Sequence, residues 1–97
     1  MYLREVISTL SACPPEAFIF AERIRGEFRP ESAAAVLELA EGEFERQIRD
    51  VASERAPGLE YFLEVFLAMD MFDGLQAEGA NLDAIVERII HYAENDA

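Results

Sequence analysis

The chain has 97 residues, 52% of them apolar, which suffices for one domain with a real core and excludes a disordered chain. Twenty acids stand against eight arginines and no lysine, a net charge of −12, which excludes nucleic acid and anionic membrane as partners and favours basic ones. No run of 18 apolar residues predicts a membrane span, and the opening MYLREVISTL has neither the basic stretch nor the cleavage site of a signal peptide.

Leu3, Val6, Ile7 and Leu10 recur at helical spacing and predict a short amphipathic helix, stopped by Pro14 and Pro15. The run Ala17-Phe18-Ile19-Phe20-Ala21 is aromatic and β-branched, and reads as a strand. After a loop of mixed charge holding Gly26 and Pro30 comes AAAVLELA at 33–40, where alanine and leucine favour helix but brevity favours a returning strand. The reading is a β-hairpin over 17–24 and 33–39. Beyond it the pattern turns helical. Phe44, Ile48 and Val51 place a helix over 42–55, with Glu41, Glu43 and Glu45 at its positive end. After the Ala56-Pro57-Gly58 break, the apolar positions 59, 62, 63, 66 and 67 predict a central helix over 58–73. Asn81 is the expected N-cap of a last helix over 81–95, whose stripe is Leu82, Ile85, Val86, Ile89, Ile90 and Ala93. The expected fold is therefore a single α+β domain, a helix and a hairpin followed by three packed helices; the alternative is an all-α bundle with 31–55 helical.

Chemistry-bearing motifs are sparse. Glu60 with Glu64, and Glu87 with His91, are spaced by four, whereas a carboxylate-bridged metal bundle needs Glu-x-x-His twice. Cys13 has no nucleophile signature around it, cannot form an internal disulfide, and suits a reducing cytoplasm. Phosphate-cradling glycine loops are absent. No catalytic residue, metal ligand or cofactor is expected. Arg23, Arg25 and Arg29 alternate with Glu22, Glu27 and Glu31 and read as ion pairs or solvated charges rather than a basic patch.

The acidity is lopsided, with 14 of the 20 acids past position 40. On a helix over 58–73, Glu60, Glu64 and Asp70 share an arc, with Asp73 following. These four carboxylates, with Tyr61 or Phe72 as aromatic anchor, are the expected docking residues for a basic protein. Two other readings compete: a DNA mimic, needing carboxylates spaced like duplex phosphates, and a homodimer closed by the over-apolar central helix.

The ending Arg88-Ile89-Ile90-His91-Tyr92-Ala93-Glu94-Asn95-Asp96-Ala97 and the opening Leu3-Arg4-Glu5-Val6, followed by two prolines and an aromatic strand, resemble small acidic domains among bacterial immunity-type proteins. The resemblance implies a cytoplasmic, non-enzymatic inhibitor that neutralises a toxin by binding it. It carries no functional residue over to this chain.

Overall fold

The computed structural model describes residues 1–38, 50 and 54–95. A short helix α1 (Leu3–Ser8) runs into a 3-10 turn (Leu10–Ala12), and strands β1 (Phe18–Ala21) and β2 (Ala34–Leu37) follow. A third strand β3 (Glu60–Glu64) leads directly into helix α2 (Val65–Ala77), and α3 (Leu82–Asn95) closes the described fold. The sheet is antiparallel, in the order β2-β1-β3.

The hairpin expected from the sequence is present, with Phe18 opposite Leu37 and Ala21 opposite Ala34. The all-α alternative falls with it. Between the strands, Arg25 (φ 54°) and Gly26 (φ 84°) make a two-residue turn in which Ile24 and Glu27 exchange backbone hydrogen bonds. Two successive left-handed residues are the geometry of a type I′ turn. Ser32 is fully buried in this loop; its hydroxyl accepts from the Arg29 amide at 2.8 Å, and its carbonyl accepts from the Leu3 amide at 2.8 Å. That second bond satisfies one of the open donors at the start of α1.

The central helix predicted over 58–73 is corrected. Its first part, Glu60–Glu64, is a strand, and helix begins only at Val65. Helical periodicity is ambiguous over so short an apolar run, and Tyr61, Phe62 and Leu63 sit well on a pleated surface. A two-stranded hairpin is marginal in water, so β1 gains from a second neighbour. The register slips between Ile19 and Phe20, where Leu63 faces Ile19 while Tyr61 faces Phe20. This bulge at Phe62 lets Phe62 and Leu63, adjacent in sequence, both bury against the core. The helix expected over 42–55 lies almost wholly outside the described residues. The one over 81–95 stands as expected, and Asn81 does cap it, its side-chain oxygen accepting from the Ala84 amide at 2.9 Å.

The three helices among the described residues lie on one sheet face. Leu3, Val6 and Ile7 of α1, Val65 and Ala68 of α2, and Ile85, Val86 and Ile89 of α3 meet Ile19, Ala21, Phe62 and Leu63 in one core. Each large aliphatic buried there contributes about 1.5–3 kcal/mol by leaving water. The opposite face carries an aromatic set of its own. Phe20 is fully buried, and the Tyr61 ring lies 6.1 Å from that of Phe18 and 6.3 Å from that of Phe20.

Candidate functional site

The third strand redistributes the acids that the sequence placed on one arc. Glu60 and Glu64 sit at the two ends of β3, about 13 Å apart at the rise of an extended chain. Glu60 is held internally, its carboxylate 3.2 Å from the Arg23 guanidinium. Glu64 is the extended residue before α2, with its backbone opposite Phe18. Tyr61 packs on Phe18 and Phe20 and is half-buried, so most of its ring serves the sheet rather than a partner. Burial raises its phenol pKa above the ordinary 10.0, and the Glu64 carboxylate adds to the rise.

Asp70 and Asp73 are brought together, with a neighbour that sequence reasoning passed over. Starting α2 at Val65 puts Phe66, Asp70 and Asp73 at i, i+4 and i+7, within an arc of about 60°. All three are exposed, and Phe66 retains 47% of its accessible surface. Glu64, Asp70 and Asp73 have no ion-pair partner among the described residues. Phe72, the alternative anchor, is half-buried against the core with Leu67, Met69, Met71 and Leu75. The i, i+4, i+7 spacing of Phe66 with the two acids was there to be read. It stayed hidden because a helix begun at 58 appears apolar nearly all round, and an exposed face cannot be picked out.

Beside this stripe lies a cleft of about 330 Å³ between the 3-10 turn and α2. Ile7, Leu10, Met69 and Phe72 supply apolar walls, while Ser8, Ser11, Asp73 and Gln76 form the polar part of its lining. Asp73 belongs to both stripe and cleft. The remaining titratable groups are arranged differently. A wider groove between the 22–31 loop and α3 holds His91 and five charged side chains, but Arg23 and Arg29 are paired there with Glu94 and Glu27. Burial raises the Cys13 thiol pKa, and its sulfur lies 3.5 Å from the Thr9 carbonyl oxygen. Among the described residues no three His, Cys, Asp or Glu side chains cluster closely enough to hold a metal ion, and no helix there is long and apolar enough to cross a membrane.

Compared with family models, with curated proteins and with solved structures, the chain matches none.

Proposed function

We propose that this chain is a non-enzymatic binding protein that docks the Phe66–Asp70–Asp73 stripe of α2 on a basic protein, in the manner of an immunity-type inhibitor on its toxin. One observation carries the reading. The only large apolar side chain of α2 left exposed stands on the same stripe as two carboxylates without a cationic partner among the described residues. An aromatic anchor ringed by charge is the usual make-up of an energetically important contact, and the overall charge of −12 speeds encounter with a positive surface. In the cytoplasm, the lone Cys13 would remain a thiol.

The competing readings fare less well on the same residues. Two copies meeting at this stripe by a twofold axis would bring Asp70 and Asp73 of both chains together, so like charges oppose a homodimer there. The apolar surplus that suggested one is largely taken up by β3 and by the inward side of α2. A DNA mimic needs a long unbroken row of carboxylates, whereas this stripe holds two and ends at Phe66.

The test is affinity capture from the source cells with the wild-type chain and with a Phe66→Ser, Asp70→Arg, Asp73→Arg variant. A basic protein retained by the wild type, released between about 0.1 and 0.5 M salt and lost with the variant, is the expected result. Equal retention by both chains would overturn the proposal, as would enrichment of no basic protein.

A further inference from the structure

The cleft beside the stripe narrows the partner's chemistry. Its lining is mixed, with the partly exposed Met69 and the Phe72 ring on its apolar side and a carboxylate, Asp73, that makes no ion pair with any described residue. An occupant that suits it needs a hydrocarbon stem, a flat cationic end and donors directed at a carboxylate. Arginine has all three.

The chain already builds such a site for one of its own arginines. The Arg23 guanidinium lies 4.1 Å from the centre of the Phe28 ring, with Glu94 at 2.5 Å and Glu60 at 3.2 Å. Phe72 and Asp73 offer the same pairing of ring and carboxylate, and neither has a cation among the described residues.

A free small cation would fill the cleft but leave Phe66 in water, about 10 Å from Asp73 along the helix. A protein segment covers both. Resting on the docking function proposed above, we infer that the cleft between the 3-10 turn and α2 receives an arginine side chain of the basic partner. The stem lies along Met69 over the buried Ile7 and Leu10, and the guanidinium meets Phe72 and Asp73. Lysine is the weaker occupant, because its compact, strongly hydrated head neither stacks nor pairs in two places.

The experiment is a titration of the whole isotope-labelled chain, followed by amide chemical shifts, with capped peptides alternating leucine with arginine, lysine or glutamate. The arginine peptide is expected to shift Ile7, Leu10, Met69 and Phe72, and to bind several-fold more tightly than the lysine peptide. Ser11→Trp, which fills the cleft from an exposed position, should weaken it about tenfold, roughly 1.4 kcal/mol. Asp73→Asn, nearly isosteric, should do the same with the wild-type spectrum otherwise retained. Equal binding of the arginine and lysine peptides overturns the inference, and so does arginine binding that Ser11→Trp and Asp73→Asn leave unchanged. The two proposals fail separately. A basic protein captured by the wild type and by Ser11→Trp, but not by Phe66→Ser, removes the cleft and keeps the stripe.

Discussion

Arg23 reaches Glu94 across 71 positions of the chain, guanidinium to carboxylate at 2.5 Å, and so ties the hairpin loop to the last turn of α3. The same guanidinium meets Glu60 at the start of β3 and lies over the Phe28 ring, which packs edge-on against Phe62 at 5.0 Å. Three segments remote in sequence therefore converge on one side chain. It is about one-third exposed and Glu94 less so, hence solvent screens these contacts only in part.

Arg23→Ala is expected to cost about 1–2 kcal/mol, the sum of a partly exposed cation–π contact and two weak ion pairs. Arg23→Lys should recover less than half, since an ammonium cannot cover the ring and serve two carboxylates together. Urea midpoints of the three proteins check this, and a lysine variant as stable as the wild type would refute it.

Two phenylalanines four residues apart should behave in opposite ways. Phe62 sits in the β3 bulge at 1% exposure, so Phe62→Ala is expected to cost about 3–5 kcal/mol and to threaten folding outright. Phe66 projects from α2, so Phe66→Ser should change stability by no more than about 0.5 kcal/mol. Thermal unfolding of both variants distinguishes a ring kept for packing from one kept for contact. A large loss at Phe66 would mean that the ring is structural.

What could be read from the sequence divides along physical lines. The aromatic and β-branched run at 17–21, the stripe of α3 and the Asn81 cap are local signals, and each took its expected place. The start of α2 was not local. Glu60–Glu64 becomes a strand because β1 offers it a ladder, a partner some forty positions earlier that no window around residue 60 contains. The site inherited that error, since moving the helix start by seven residues separates Glu60 and Glu64 from Asp70 and leaves Phe66, already spaced with the two acids, as the exposed aromatic of their face. The cleft was beyond sequence reasoning altogether, because Leu10 and Phe72 meet only through the packing of α1 and its 3-10 turn against α2.

The hairpin turn leaves room for improvement. Arg25 occupies a left-handed conformation at φ 54°, which a side chain with a Cβ adopts at a cost and which asparagine tolerates best after glycine. Asn-Gly is the preferred pair for this turn. Arg25→Asn is thus expected to stabilise the chain by about 0.5–1 kcal/mol, read from the urea midpoint. A loss of stability would show that the Arg25 side chain makes a contribution its exposed position does not suggest.

Alkaline pH should loosen the fold through Tyr61. Burial, reinforced by the Glu64 charge and weakly by Tyr92, raises its pKa in the folded state, although a backbone hydrogen bond at Glu64 opposes this. The folded chain therefore holds the phenol proton more tightly than the unfolded chain. Stability from this group is complete below about pH 10 and is lost as pH rises through the folded value. Cys13, also raised by burial, acts in the same direction from about pH 9. In a Cys13→Ala background, Tyr61→Phe should flatten the fall in urea midpoint above about pH 9, and Glu64→Gln should reduce it. An unchanged slope in the phenylalanine variant would remove Tyr61 as its source.

The acids of α2 are placed against the electrostatics of their own helix. Its first turn holds no acid and its last turn no base, while Asp70 lies near the middle, Asp73 in the C-terminal half and Glu78 at the C-cap. A helix C-terminus carries partial negative charge, so Glu78→Lys should add about 0.3–1 kcal/mol of stability, and Asp73→Lys a smaller increment because it lies before the last turn. Binding separates them. Glu78 falls about 120° around the helix from Phe66, off the stripe, whereas Asp73 lies on it. The expected outcome is that both reversals raise the melting temperature, while only Asp73→Lys releases the basic partner in affinity capture. A carboxylate such as Asp73, which gains nothing from the helix dipole and serves only contact, is what a docking role predicts. If Glu78→Lys released the partner as fully as Asp73→Lys, general charge rather than this stripe would be the recognition element.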